Sequence, residues 1–213
     1  MYEVYHLKKP GSVRVVTVRL QGPYLCNSLL GVLLRFRRER VVVTMDVEQM
    51  FQNFKTPKEH QRLEGFFFWH QNNDMNLPLV DYQMTIHVFG STALPAVATY
   101  GLRKAIENSD DDVKKLVNNN FNVDDGLLSV QTEDQASDIV LRIKQTLMDG
   151  CNIRLHKFAS NSRAVLDPSP QSDLASNLKD LGIATLPMQR SLGFLWNTDM
   201  DRFAFKVILT ERV

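Results

Sequence analysis

The sequence predicts an α+β fold, an antiparallel sheet with helices on one face. Three observations carry this reading. Extended and amphipathic segments follow one another as strand, helix, hairpin strand, helix, hairpin, helix, strand. Thr132 through Asp149 has the periodicity of a long surface helix. The composition, 44% hydrophobic and 23% charged over 213 residues, is that of a globular chain. A chain of this size buries roughly 70% of the surface that its unfolded form exposes.

Residues 1–23 read as irregular apart from a short strand, Val13–Val16, ending in the Gly22-Pro23 break. From Tyr24 the apolar positions Leu25, Leu29, Leu33 and Phe36 recur at helical spacing, and the basic run Arg35–Arg40 closes that helix. Val41–Asp46 is β-branched and reads as a buried strand ending in an acid. Pro57 opens a short helix-like stretch, Phe66–Trp69 is an apolar strand or buried hinge, and residues 72–78 form a polar loop. Tyr82–Phe89 alternates at period two and stops at Gly90. A helix is expected from Ala93 to Asn108, with Pro95 tolerated in its first turn.

After the acidic loop Asp110–Asp112 and another short helix, Phe121–Val130 reads as a hairpin turning at Asp124-Asp125-Gly126. Thr132 and Gln135 make a capping box for the long helix. Ala136, Ile139, Val140, Ile143 and Leu147 form its apolar stripe, and Gly150 is its expected stop. A strand over Asn152–Phe158, a loop with Pro168, Pro170 and Pro187, and strand-like pieces Ser191–Asn197 and Arg202–Leu209 complete the chain.

Charge and cysteine content restrict the function classes. No apolar run approaches the ~18 residues of a membrane span, and Met1–His6 does not read as a signal peptide. Cys26 and Cys151 cannot make a disulfide framework or a multi-cysteine zinc site, so a reducing, intracellular location is expected. Residues 1–40 hold eight Lys/Arg against Glu3 and Glu39, a balance of +6 on a chain whose net charge is +1. Such a front end points to polyanions met by the N-terminal part. The alternative is a solvated face with arginines set favourably at a helix C-terminus.

Three carboxylates stand where chemistry could use them. Asp46 ends an apolar strand, and Asp124 and Asp125 sit at a hairpin tip. If those strands are neighbours, the acids converge on one sheet edge. Hard oxygen ligands without His or Cys suit Mg²⁺. Two such ions about 3.5–4 Å apart can activate a hydroxyl and stabilise a leaving pyrophosphate. Taken singly, an Asp-Gly turn or a strand-end acid is ordinarily structural. His6, His60, His70, His87 and His156 are scattered without metal spacing and read as core or surface residues. Asp110–Asp112 lacks the glycine and terminal acid of a calcium loop.

The ordered combination is more specific. Asp46 followed by Phe51, the Phe89-Gly90 strand end, Phe121-Asn122-Val123-Asp124-Asp125, Leu155-His156-Lys157-Phe158 and Leu192-Gly193-Phe194-Leu195-Trp196 together resemble a reverse-transcriptase palm. Gly22-Pro23 leading to Asn27–Leu33, Arg35-Phe36-Arg37, and Ala159-Ser160-Asn161-Ser162 resemble the BEL/Pao group of long-terminal-repeat retrotransposons. The likeness covers residues 6–207.

This resemblance implies a ferredoxin-like palm with a truncated fingers region. It divides the chain into a basic fingers remnant (1–40), a palm with the catalytic carboxylates (41–187) and a primer-grip-like hairpin (188–213), without thumb, ribonuclease H, protease or integrase domains. Asp46, Asp124 and Asp125 would bind two Mg²⁺ (or Mn²⁺) ions, and Lys157 would protonate the pyrophosphate. Arg14 would touch the nucleotide triphosphate, Phe51 would exclude a 2′-hydroxyl, and Phe89 and Gly90 would shape the nucleotide pocket. Leu192 and Gly193 would open the primer grip, and Arg35, Arg37 and Arg38 would meet nucleic acid.

The implied partners are an RNA or DNA template with primer and deoxynucleotides, with no membrane, in the cytoplasm or in retroelement particles. Two departures stand out: the fingers segment is abbreviated to Thr17–Gln21, and Asn122 replaces the aromatic usual before Val-Asp-Asp. Two functions are therefore carried forward, an RNA-directed DNA polymerase palm and a catalytically silent, retroelement-derived nucleic-acid-binding or merely folded module.

Overall fold

In the computed structural model, residues 2–5, 17–20, 22–61, 64, 66–87, 91–175, 188–192 and 194–204 are described. The chain divides into two compact units, each discontinuous in sequence: Met1–Cys26 with Gln49–Gly101, and Asn27–Glu48 with Leu102–Val213. The basic run closes a helix whose apolar side, Val32 and Phe36, is fully buried, so that helix belongs with the sheet of the second unit.

The first unit contains two antiparallel ribbons. Strand β1 (Tyr2–Tyr5) pairs with β2 (Thr17–Leu20), where sequence patterning gave irregular chain. The expected strand Val13–Val16 lies outside the described residues. Phe66–Trp69 resolves as a strand, because β4 (Phe66–His70) pairs with β5 (Leu79–Gln83) across the polar loop. β5 ends well before Gly90, and Ile86 makes only an isolated bridge to Lys55. Behind it, buried Glu64 accepts from Thr56 Oγ1 at 3.3 Å and pairs with His87 Nδ1 at 2.8 Å.

The second unit is built on a four-stranded antiparallel sheet in the order β6-β7-β3-β8. Helix α1 (Leu29–Phe36) starts later than the apolar spacing suggests: Leu25 precedes it and Tyr24 is 83% exposed. β3 (Val41–Val47) is the central strand, and Val41 through Met45 are all buried, as expected of a strand covered on both faces. Asn161 extends its ladder, accepting from Val42 N–H and donating to the Arg40 carbonyl, both at 3.0 Å.

Helix α2 (Leu94–Ala105) carries Pro95 in its first turn, where a missing N–H costs nothing. The acids Asp110–Asp112 are the start of α3 (Asp111–Asn120) rather than a free loop. Arg142 gathers two of them, bidentate to Asp112 at 2.7 Å and reaching Asp110 at 2.6 Å. That guanidinium outweighs partial burial and holds the Asp112 carboxyl below the usual range.

The hairpin of β6 (Phe121–Asn122) and β7 (Asp125–Val130) turns at Val123-Asp124, one residue earlier than the Asp-Asp-Gly signal implied. Gly126 belongs instead to β7, pressed beneath Phe121 and Met45. Helix α4 (Glu133–Cys151) begins as expected, with Thr132 Oγ1 accepting from Gln135 N–H and the whole apolar stripe buried. Its stop is Asn152, not Gly150. Asn152 adopts φ +54°, and its N–H closes onto the Met148 carbonyl, the 5→1 bond of an αL cap, while Ile153 N–H reaches the Leu147 carbonyl. Gly150 is needed for a close approach, since a Cβ there would lie 2.8 Å from the Ala105 carbonyl oxygen.

β8 (Leu155–Ser160) and the short α5 (Arg163–Leu166) follow. Of the two terminal strand-like pieces, the first is broken at Leu192 into β9 (Met188–Ser191) and β10 (Phe194–Asn197), and β10 pairs with both β9 and β11 (Arg202–Ala204) in a separate antiparallel sheet. Fully buried Trp196 meets Phe36 edge-on at 5.2 Å and donates to Asp201 Oδ1 at 3.0 Å.

Gly126 provides a stability test of this packing. A Cβ at that position would lie 2.6 Å from Phe121 Cζ and 2.8 Å from Met45 Cγ. Gly126→Ala should destabilise the protein by roughly 1–3 kcal/mol through overpacking. The readout is a lower urea midpoint at unchanged slope; an unmoved midpoint would show that the ring and thioether yield freely.

Candidate active site

The three acids converge because β3 and β7 are neighbours. Asp46, next to last in β3, is the direct cross-strand partner of Asp125, the first residue of β7. Asp124 occupies the turn, and its carbonyl accepts from Val47 N–H at 2.9 Å, which ties the turn to the end of β3. Val123, a β-branched residue, adopts φ +59° there, a conformation L side chains avoid. Strain of this kind costs about 1–3 kcal/mol and persists only where the surroundings impose it. Here the hairpin and the Val47–Asp124 bond impose it.

Burial is the main reason the Asp124 carboxyl titrates above its ordinary range. Backbone N–H groups of the turn oppose the rise, the negative charge of Asp46 adds to it, and Lys157 partly offsets it. Among the described residues, no three His, Cys, Asp or Glu side chains are drawn together closely enough to hold an ion.

On its other edge β3 pairs with β8 through a bulge. Thr44 opposes Ala159 and Asp46 opposes His156, so β8 carries one extra residue between these pairs. Lys157 absorbs it with φ +52°. Successive residues of a regular strand face opposite ways, yet both members of this pair reach the same carboxylate. His156 Nε2 lies 2.7 Å from Asp46 Oδ1, and Lys157 Nζ donates to Asp46 Oδ2 at 3.1 Å. The scattered histidines gave no sign of this. The only sequence signal was the adjacency of His156 to Lys157.

Beyond His156 the charges continue. Its Nδ1 is 3.9 Å from Glu48 Oε1, Glu48 accepts from Arg154 at 3.0 Å, and Arg154 donates to buried Asp173 at 2.6 Å. Lys144 also donates to Asp173. Burial would raise the Asp173 carboxyl, but the bonds from Lys144 and Arg154 hold it below the ordinary range.

The other expected site residues are dispersed. Phe51 lies half-buried in the single turn Met50–Asn53 of the first unit. Leu192, φ +49°, forms the β9–β10 turn. Arg14, Phe89, Gly90 and Gly193 lie outside the described residues. Arg35 donates to Asn120 Oδ1 at 3.1 Å and to the Asn119 carbonyl. Arg37 is paired with Asp201 and stacks over Phe203. Arg38, with its side chain 78% exposed and Glu39 beside it at 3.5 Å, is open to solvent among the described residues.

Asp124 and Asp173 give stability effects of opposite sign. A raised folded pKa means that the native state binds the proton more tightly, so this contribution is present below pH 3.8 and lost as pH rises through the folded value. Asp124→Asn should therefore melt higher than wild type at pH 7, by about 2–4 °C per kcal/mol relieved, and lose that advantage below the ordinary carboxylate range. Asp173 is depressed, so its contribution is present above pH 3.8 and lost as pH falls through the folded value. Asp173→Asn should cost roughly 2–3 kcal/mol at pH 7, below the range for a fully buried pair because Arg154 is 39% exposed. Thermal melts between pH 3 and 7 measure both; equal curves at all pH values would refute the assignments.

No protein-family model and no curated protein matches the sequence. Solved structures do match the fold. The foamy viral protease-reverse transcriptase in complex with an RNA/DNA hybrid superposes with a TM-score of 0.52 at 16% identity, over 96% of this chain and 23% of that one. The same protein with double-stranded DNA gives 0.52 at 14% identity, over 95% and 36%. A further double-stranded DNA complex of it, the dRH form, gives 0.55 at 17%, over 92% and 29%. The chain thus spans between 23% and 36% of the lengths of these proteins. Its α+β architecture is a reverse-transcriptase-like fold.

Proposed function

We propose that this chain is the polymerase palm of a retroelement RNA-directed DNA polymerase of BEL/Pao type, extending a primer with deoxynucleotides. The observation that carries the reading is the Asp46–Asp125 cross-strand pair with Asp124 in the strained turn beside it. Carboxylates directly opposite one another repel. A fold that keeps them there, and half-buries Asp124 as well, has a use for the charge. The template–primer partner is supported by the complexes of the fold's solved neighbours with RNA/DNA hybrid and double-stranded DNA.

The donor chemistry suits divalent Mg²⁺ or Mn²⁺, since all three acids offer hard oxygens and the Lys157 ammonium already sits as a cation on Asp46 Oδ2, while the three side chains would have to draw closer around an ion. Asp46, Asp124 and Asp125 would hold two ions, which when bound supply activation of a primer 3′-hydroxyl and stabilisation of the departing pyrophosphate. The chain's own residues do the rest. Asp46 is fixed by β8, Asp124 is fixed by Val47, and Lys157, 57% exposed, can turn from Asp46 to present its proton to the pyrophosphate. Phe51 is the residue that would exclude a 2′-hydroxyl by contact, and Leu192 with Gly193 would begin the primer grip. Arg14 would hold the triphosphate through its fork of donors, with Phe89 and Gly90 shaping the nucleotide pocket.

Primer extension on a homopolymer RNA template, with Mg²⁺ and with Mn²⁺, tests this. Wild type should extend, and Asp46→Asn or Asp124→Asn should lose at least about 100-fold, the scale of a removed electrostatic contact in a transition state. No extension with either metal would leave the silent nucleic-acid-binding module. Phe51→Val should raise ribonucleotide relative to deoxynucleotide incorporation at least about tenfold, or 1.4 kcal/mol of discrimination. Unchanged selectivity would make Phe51 a packing residue.

A further inference from the structure

The bulge that brings two successive residues of β8 onto Asp46 divides their labour. His156 is the in-register partner of Asp46, with its side chain 18% exposed, and its Nε2 faces Oδ1 at 2.7 Å. A carboxylate can only accept, so the ring donates. Lys157 is 57% exposed and holds the other oxygen, Oδ2, at 3.1 Å. One partner is anchored and the other is free to leave. Glu48, 3.9 Å from His156 Nδ1 and itself held by Arg154, backs the ring from behind.

We propose that His156 is a positioning residue for Asp46: its Nε2–H fixes Oδ1, so that Oδ2 is presented to a divalent cation, with the Lys157 ammonium keeping that place until the cation arrives. The inference rests on the reading of Asp46 as a cation ligand and adds to it a residue that the carboxylate pattern does not contain. It is the carboxylate counterpart of the outer partners that orient metal-binding side chains, whose loss ordinarily weakens metal binding about 10–100-fold.

The test is Mn²⁺ titration of the full chain at one fixed pH, following the free-ion electron paramagnetic resonance signal, with the Mn²⁺-dependent gain in Tm as second readout. His156→Ala should weaken Mn²⁺ binding about tenfold or more. His156→Gln, whose amide can donate at the Nε2 position, should stay within about threefold of wild type, and the shorter His156→Asn should fall with Ala. If His156→Ala does not fold, the Gln and Asn variants carry the same contrast. Wild-type affinity in the Ala or Asn variant overturns the positioning role alone, as does a loss in Gln as deep as in Asn. Absence of Mn²⁺ binding by wild type overturns the cation reading of Asp46 and this proposal with it.

Discussion

Strand β3 is buried on both faces and paired on both edges, and that double pairing decides where every charged group of the site can stand. A one-residue slip against β7 would move every side chain of β3 to the opposite covered face, so the close packing of Val41–Val43 and Met45 on both faces locks the register. The register then places Asp46 opposite Asp125 whatever their charges prefer. Core burial, at roughly 25 cal/mol per Å² of apolar surface, outweighs one cross-strand repulsion of a fraction of a kcal/mol to about 1 kcal/mol. The acids converge because the valines must be buried.

The second edge of β3 answers that repulsion. The bulge in β8 brings His156 and Lys157 to one carboxylate, and both of its oxygens are then hydrogen-bonded. Glu48, Arg154, Asp173 and Lys144 continue the alternation of sign away from the site. Asp173 is the buried member of this chain, and its neighbours hold it ionised. Asp124 stands at the other extreme, half-buried with a like charge nearby and only partial relief. The two acids mark the difference between a charge used for folding and a charge kept in tension.

What was legible in the sequence was whatever local periodicity controls. The β3 run, the α4 stripe with its Thr132 cap and the existence of the Phe121–Val130 hairpin are of this kind. What escaped depends on partners distant in sequence. Nothing local in residues 2–5 and 17–20 announces a ribbon, because its pairing is decided across the segment that separates them. Gly126 and Gly150 resemble turn and stop signals, but each is required by a neighbour, Phe121 with Met45 in one case and the Ala105 carbonyl in the other. The placing of Asp46 opposite Asp125 was legible as a pattern. The His156 contact was not, because it depends on a bulge whose position only the pairing of β3 with β8 defines.

The basic N-terminal segment shows the same limit in its charges. A balance of +6 over residues 1–40 is a statement about composition, whereas a field at a surface depends on which charges are already matched. Arg35 spends its guanidinium on the end of α3 through Asn119 and Asn120, and Arg37 on Asp201 and Phe203. Both fasten α1 to its surroundings, and a planar fork suits such multiple attachment better than an ammonium would. Among the described residues Arg38 faces solvent with a 3.5 Å contact to Glu39, a pair that water largely screens. Among these three arginines, therefore, the charge open to a polyanion is chiefly that of Arg38, and the run Arg35-Phe36-Arg37 acts first as the clamp that seats Phe36 against Trp196.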